Sequence, residues 1–161
     1  MHRQVIALSQ SISQDRPWTD PSFIDQIVAL QRLRQTRARA AETDLVFFDR
    51  SPVCTLALSR YMGFATSPIL ADEIDRILQA GVYEPMVFFV RNQGFIQRTE
   101  ARRITLEESL EFERIHEQTY RELGFELVDV PAGPLADRVA LIQQTIEGLA
   151  MTGSTARFAG I

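Results

Sequence analysis

The stretch DLVFFDRSP, from Asp44 to Pro52, decides how this sequence of 161 residues is interpreted. A short apolar run, Leu45 to Phe48, lies between two aspartates and is typical of a buried strand in a parallel sheet. Asp49 and Arg50 follow it directly, at the end of the strand where ligands bind in open α/β sheets. A carboxylate there can hold Mg²⁺ or orient a nucleophile, or it can simply cap the next helix.

Predicted strands and helices alternate on both sides of this stretch. Two further apolar runs, PMVFFV at 85–90 and FELVDV at 125–130, predict buried strands. N-cap residues followed by proline, and a Thr105–Glu108 capping box, predict the helices. These helices cover about 3–13, 21–41, 52–61, 68–80, 105–123 and 135–149. We therefore expect an α/β fold with a parallel sheet and helices on both faces, in a single domain over residues 1–150, followed by a flexible tail over 151–161.

The composition excludes several classes of function. It is globular, with 45% hydrophobic and 24% charged residues. All 17 basic residues are arginine, so these residues contain no Walker A lysine, Schiff-base lysine or lysine base. The net charge of −4 argues against nucleic acid as a partner, and no apolar run approaches the roughly 20 residues of a membrane span. With a single cysteine, no recognisable signal peptide and no span, we expect a cytoplasmic protein.

A second candidate site is rich in arginine and follows the second predicted strand. Within thirteen residues lie Arg91, Arg98, Arg102 and Arg103. Guanidinium groups bind phosphate oxygens in a bidentate manner, so this connection is consistent with the lid of a phosphoryl-transfer enzyme. The alternative is a solvated loop whose arginines pair with nearby glutamates, Glu100, Glu107 and Glu108.

Two other reactive side chains are interpreted as structural. His116 lies in the middle of a predicted helix between Glu113 and Glu117, and no second histidine or cysteine has the spacing of a metal site. We expect it to be at the surface or half-buried. Cys54 has no evident histidine partner, and we expect a small buried residue.

Several segments resemble one family in order and spacing. DLVFFDRSP resembles the "FFDR" segment of the AAA-type ATP-binding domains that are grouped with the NadR-like nucleotide kinases. RTEARRITLEESLEFERIHEQTYRELGFELVDVP, at 98–131, is similar to that family's lid, long helix and last core strand. DPSFIDQIVALQ, at 20–31, is similar to the helix before FFDR. The likeness covers about residues 3–147.

The resemblance implies a three-layer α/β/α P-loop NTPase-like fold that binds ATP or GTP with Mg²⁺. Such a protein transfers a phosphoryl group to a small-molecule acceptor or hydrolyses the nucleotide. By the resemblance, Asp49 lies near Mg²⁺ and the γ-phosphate, and Arg50 is its neighbour in the same motif. Arg98 and Arg103 would be lid arginines, with Arg102 as a weaker candidate. Neither the acceptor nor the choice between ATP and GTP follows from the likeness.

The sequence departs from this family in one large respect. The family begins with a strand and the phosphate-binding loop G-x-x-x-x-G-K-[ST], and the present residues contain no such loop. We therefore expect an N-terminally truncated domain that binds nucleotide weakly and has two central strands without their shared neighbour. The alternative is a non-catalytic remnant that acts as a binding module or forms a homodimer through its strand edges. A small flavodoxin-like domain is a third interpretation, which a bound flavin would support.

Overall fold

Helices and parallel strands alternate in the computed structural model, which describes residues 20–40, 45–94, 105–150 and 156–160. The elements are α1 (Ser22–Ala40), β1 (Leu45–Asp49), α2 (Pro52–Tyr61), α3 (Pro68–Gln79), β2 (Met86–Val90), α4 (Leu106–Glu122), β3 (Glu126–Val130), α5 (Leu135–Ala150) and β4 (Ala156–Gly160). From α1 to α5 their order is the one that the sequence predicts. The helix predicted within 3–13 lies outside the described residues.

Local capping signals determine where two of the helices begin. At the start of α3 the Ser67 hydroxyl accepts the amide hydrogen of Leu70 at 3.1 Å, and Pro68 occupies the first turn. At the start of α4 the Thr105 hydroxyl accepts from the Glu108 amide at 3.1 Å, and the Glu108 carboxylate accepts from the Thr105 amide at 2.6 Å. Both predicted caps are confirmed, and each satisfies amide donors that have no partner within the helix.

The four strands of the described residues form one parallel sheet in the order β1-β4-β2-β3. In this register Asp49 at the end of β1 aligns with Gly160, and Gly160 aligns with Phe88 of β2. The carboxyl ends of β1 and β2 therefore lie at the same edge of the sheet. The connections that follow both strands, which carry the two candidate sites, begin at this edge.

Strand β4 occupies the position between β1 and β2 that was predicted to be empty. Residues 156–160 were expected to belong to a flexible tail, and they instead pair with β1 from Leu45↔Ala156 to Asp49↔Gly160. The physical reason is backbone hydrogen bonding. Without β4, the edges of β1 and β2 that face each other would leave their amide and carbonyl groups unpaired. A short segment of modest strand propensity satisfies them once the rest of the sheet is present.

Helices cover both faces of the sheet, which confirms the three-layer α/β/α arrangement. One face carries α1 to α4, whose apolar side chains form the main core with β2: Ile24, Val28, Val53, Leu56, Leu70, Ile74, Ile77, Val87 and Tyr120. Each fully buried aliphatic side chain of this kind contributes about 1.5–3 kcal/mol to folding. The other face carries α5, whose Leu141, Ile142 and Ile146 pack against Phe88 and Val130.

The burial of β1 differs from the prediction. Phe48 packs against the main core, but Leu45 and Phe47 on the α5 side are 40% and 50% exposed. The Phe47 ring lies beside the Phe88 ring, with the two centroids 6.3 Å apart. A helix is about 10 Å wide and strands are about 4.8 Å apart, so α5 covers β2 and β3 and leaves β1 open. The apolar run is therefore half-buried on one face and not enclosed on both.

None of the helices within the described ranges is long and apolar enough to cross a membrane.

Candidate functional site

The first candidate pair lies where β1 ends and α2 begins. Asp49 is the last residue of β1 and is exposed, at the carboxyl edge of the sheet. Arg50 has a backbone φ of 69°, and among the described residues it is the one non-glycine with a positive φ. For a residue with a β-carbon this conformation costs about 1–3 kcal/mol and persists only where its surroundings enforce it.

The residue after Arg50 is held from two sides. Ser51 is fully buried, and its carbonyl oxygen accepts a hydrogen bond from Gln31 Nε2 of α1 at 2.8 Å. The Ser51 hydroxyl lies 2.6 Å from the Tyr120 hydroxyl of α4. Gln31 is itself oriented, because its Oε1 accepts from the Thr55 hydroxyl at 2.9 Å. These bonds fix the backbone on the C-terminal side of Arg50.

Tyr120 also contacts the only cysteine. Its hydroxyl lies 3.2 Å from Cys54 Sγ, and both side chains are buried. Burial, together with the neighbouring Cys54, raises the pKa of Tyr120 well above its ordinary value, so the phenol remains neutral. The prediction that Cys54 is a small buried residue is confirmed. Its polar partner, Tyr120, is not among the candidate residues predicted from the sequence.

His116 is more buried than the sequence predicted. Its side chain is 1% exposed, its Nδ1 lies 2.8 Å from the Phe112 carbonyl oxygen, and its ring lies 4.2 Å from the Phe112 ring. Its Nε2 is buried and has no hydrogen-bond partner in the structure. Burial lowers the pKa of His116 to about 4, and the charge of Arg50 contributes to the shift, so the imidazole is neutral at pH 7. The predicted surface or half-buried position is wrong, because His116 packs inward while Glu113 and Glu117 pair with Arg91.

Arg91, the first arginine after β2, forms ion pairs with carboxylates of this chain. Its guanidinium lies 2.5 Å from Glu117, 2.6 Å from Asp129 and 3.3 Å from Glu113. It also lies 4.5 Å from the centre of the Phe89 ring. The hydrogen bond that Arg91 donates to Glu117 raises the pKa of Arg91 above its ordinary value. Its partners are thus not the glutamates expected for a solvated loop, and with three carboxylates around it Arg91 is not available as a phosphate ligand.

The connection that leaves β2 is tied to α4 at its start. The backbone amide of Asn92 donates to the Glu113 carboxylate at 2.8 Å. The side-chain Nδ2 of Asn92 donates to the Ser109 hydroxyl, also at 2.8 Å. The three remaining arginines of this connection, Arg98, Arg102 and Arg103, lie outside the described residues. Their assignment to a lid therefore stays a prediction.

The donor set of this site suits a metal ion that arrives with a phosphate ligand. In the described part of the chain, no three histidine, cysteine or carboxylate side chains are grouped closely enough to hold a metal on their own. Asp49 offers one exposed carboxylate at the sheet edge. Mg²⁺ is commonly bound by one or two carboxylates together with water and substrate phosphates, so one carboxylate fits a nucleotide-borne ion and does not fit a protein-only cage.

The comparison with protein families gives a match that covers most of the chain. The family described as AAA domain matches residues 1–138, which include β1, β2, β3 and both connections at the carboxyl edge. Strand β4 lies beyond the matched residues. No curated protein and no solved structure matches this chain. The parallel sheet between two helical layers agrees with the P-loop NTPase-like fold that the sequence predicts. On the family match and the fold together, the chain belongs to the AAA domain family.

Proposed function

We propose that this protein binds Mg²⁺ with ATP or GTP at the carboxyl edge of β1, as a NadR-like member of its family. The observation that carries the proposal is the pair Asp49–Arg50: a carboxylate and a cation in adjacent positions at the end of a parallel strand, with Arg50 held at a positive φ. Neither side chain has a hydrogen bond or ion pair to another described residue.

The proposed roles follow from the chemistry of the two groups. Asp49 would hold the Mg²⁺ of the nucleotide directly or through water, and Arg50 would bind phosphate oxygens. When bound, Mg²⁺ would neutralise part of the negative charge of the phosphates. Arg98, Arg102 and Arg103 would close over the nucleotide, with Arg103 nearest the reaction. The complete activity would be phosphoryl transfer to a small-molecule acceptor or hydrolysis of the nucleotide, in the cytoplasm.

The same proposal predicts an impaired activity for the 161 residues alone. In P-loop NTPases the backbone cradle and its lysine make most of the contacts with the β- and γ-phosphates. These residues contain neither a lysine nor the G-x-x-x-x-G-K-[ST] sequence. The carboxyl edge would thus contribute a carboxylate and an arginine to a nucleotide that is otherwise weakly held.

Paramagnetic broadening by Mn²⁺-ATP tests this proposal at residue level. With ATP present, substoichiometric Mn²⁺ should broaden the backbone amide signals around Asp49 and Arg50 first, and Asp49→Asn should abolish that broadening. Asp72→Asn is the matched control, because Asp72 is an exposed carboxylate on α3. Broadening that ignores Asp49→Asn, or that centres elsewhere, would contradict the proposal.

A second function, a non-catalytic module that pairs with a copy of itself, has a separate observation in its favour. β1 is an edge strand of the described sheet, and its Leu45 and Phe47 are exposed on the side where α5 exposes Leu135 and Val139. Exposed apolar surface beside an unpaired strand edge favours self-association.

Sedimentation equilibrium separates the two functions. If β1 is a dimer interface, the chain sediments as a dimer and Phe47→Ser shifts it to monomer. Ile69→Ser, which removes an apolar side chain of similar exposure from α3, should leave the dimer intact. A monomer at all concentrations would exclude this second function.

A further inference from the structure

Gln31 of α1 is buried, and both ends of its side-chain amide bond to the start of α2. Its Nε2 donates to the Ser51 carbonyl oxygen at 2.8 Å, and its Oε1 accepts from the Thr55 hydroxyl at 2.9 Å. The reverse orientation of the amide would place Oε1 against the Ser51 carbonyl oxygen, and two acceptors cannot form a hydrogen bond. Gln31 is therefore an oriented donor to the residue that follows Arg50.

Ser51 relies on contacts from distant helices because its local bonds are weak. It is the N-cap residue of α2, where a serine side chain commonly accepts from an amide of the first turn, but it makes no such bond here. Its hydroxyl instead lies 2.6 Å from the Tyr120 hydroxyl. The helical bond from the Thr55 amide to the Ser51 carbonyl oxygen is long, at 3.3 Å, so the bond from Gln31 is the shorter of the two.

Arg50 is the single residue between two fixed points of the backbone. Before it, Asp49 pairs with β4 opposite Gly160. After it, Ser51 is held by α1 and α4, and it has the extended backbone (φ −126°, ψ 173°) that a following proline, Pro52, imposes. The dihedral angles of Arg50 must therefore take up the change of direction from strand to helix, and its φ of 69° is the result.

An arginine is an unfavourable residue for this conformation. Glycine adopts a positive φ without steric cost, whereas a residue with a β-carbon is strained there. Strain of this kind is concentrated at functional sites, where it directs a side chain. The contacts that fix the backbone of Arg50 also fix the direction in which its side chain leaves the backbone.

We propose that Gln31 is a positioning residue: its amide holds the Ser51 carbonyl oxygen, keeps Arg50 in the left-handed conformation and so directs the Arg50 guanidinium beside Asp49 at the carboxyl end of β1. The stabilisation from one such bond is similar in size to the backbone strain, so without it a share of the molecules returns to a negative φ. The purpose of this arrangement, to direct Arg50 toward nucleotide phosphates, rests on the proposed function, whereas the hold on the backbone does not.

Nuclear Overhauser effects (NOEs) test the hold on Arg50 without any ligand. A positive φ brings the amide hydrogen and the Hα of one residue closer together than ordinary negative values do, so Arg50 should give a strong NOE between them. Gln31→Met keeps the length of the side chain but removes the donor, and it should weaken this NOE. Gln35→Met is the matched control, because Gln35 is an equally buried amide one turn along α1 that bonds to Tyr83 and Arg76. An Arg50 NOE that is equally strong in Gln31→Met and wild type would overturn the proposal.

A second pair of variants does not depend on the folding of Gln31→Met. Thr55→Val keeps the shape of the side chain but removes the hydroxyl that orients Gln31, whereas Thr55→Ser keeps that hydroxyl. The Arg50 NOE should weaken in the valine variant and be retained in the serine variant. Equal NOEs in these two variants would count against an oriented Gln31.

The affinity for Mn²⁺-ATP tests whether this hold positions Arg50 for a ligand. The affinity should fall by about fivefold in Gln31→Met and stay within about twofold of wild type in Gln35→Met. The double variant Gln31→Met with Arg50→Gly should bind no more weakly than Arg50→Gly alone, because Gln31 acts through Arg50.

The outcomes of this binding experiment separate the two proposals. Equal losses of affinity in the two glutamine variants would show that Gln31 is merely structural, and would overturn the positioning role. The same follows if Arg50→Gly loses affinity and Gln31→Met does not. If Arg50→Gly binds Mn²⁺-ATP as tightly as wild type, the proposed function fails, while a weakened Arg50 NOE in Gln31→Met still establishes the hold on the backbone.

Discussion

The Tyr120 hydroxyl lies 2.6 Å from the Ser51 hydroxyl, with both side chains fully buried. This contact joins α4 to the residue that follows Arg50, and Gln31 of α1 holds the carbonyl oxygen of the same residue. Two helices that are distant in sequence thus support the junction between β1 and α2. The junction that carries Asp49 and Arg50 is therefore a supported part of the core and not a free loop.

Tyr120→Phe should destabilise the protein without changing its fold. The substitution keeps the ring but leaves the buried Ser51 hydroxyl without this partner, and the loss of such a partner costs about 1–3 kcal/mol. Urea unfolding measures the change. Tyr61→Phe serves as the control, because Tyr61 is only partly buried and surface-like substitutions change stability by about 0.5 kcal/mol or less. Equal unfolding midpoints for the two variants would show that the Tyr120 hydroxyl does not support the junction.

His116 should make the stability of the protein depend on pH. Its pKa is about 4 in the folded protein, against 6.5 for an ordinary histidine. Between these values the unfolded chain binds a proton that the folded protein does not, so the free energy of unfolding falls as the pH is lowered from 6.5 to 4. The full shift corresponds to about 3 kcal/mol.

Urea unfolding at pH 7 and pH 4.5 measures this effect. The wild type should have a lower free energy of unfolding at pH 4.5 than at pH 7. In His116→Gln most of this difference should disappear, since glutamine does not titrate. An NMR titration of the His116 ring gives the pKa directly, and a midpoint near 6.5 would contradict the buried neutral state.

Strand β4 should be essential for the stability of the sheet. Ala159→Pro removes an amide donor from a strand that is paired on both sides and forbids a regular ladder, so we expect a loss of about 2 kcal/mol or more. Exposure of the neighbouring edges of β1 and β2 should also promote aggregation. Ala136→Pro is the matched control, because Ala136 lies in the first turn of α5, where proline is tolerated. If thermal unfolding gives both variants the same melting temperature, β4 does not close the sheet in solution.

Much of this fold could be predicted because its signals are local. A serine before Pro68, the Thr105–Glu108 capping box and the apolar runs at β2 and β3 each identify an element from a few neighbouring residues. Strand β4 gives no such signal. ARFAG contains two alanines and a glycine, which are poor strand formers, and it becomes a strand only because β1 and β2 lie on either side of it.

The candidate site could be predicted only in part, for a similar reason. Asp49 and Arg50 follow an apolar run, and that position alone indicates the carboxyl edge of a sheet. The positive φ of Arg50 depends on bonds from residues far along the chain, so no local pattern contains it. The burial of His116 had one usable signal: Phe112 and Tyr120 lie four residues to either side and mark an inward face of the helix. The charged Glu113 and Glu117 nearby instead favoured the prediction of a surface or half-buried position.

The affinity for Mg²⁺-ATP of wild type, Asp49→Asn and Asp72→Asn, with and without Mg²⁺, is the most direct test of the central claim that Asp49 belongs to a nucleotide site. We predict a dissociation constant weaker than micromolar for the wild-type chain, which contains no lysine. Asp49→Asn should weaken binding by about tenfold and remove its dependence on Mg²⁺, while Asp72→Asn should bind as wild type does. Binding that is equally strong and equally dependent on Mg²⁺ in Asp49→Asn and wild type would contradict the account.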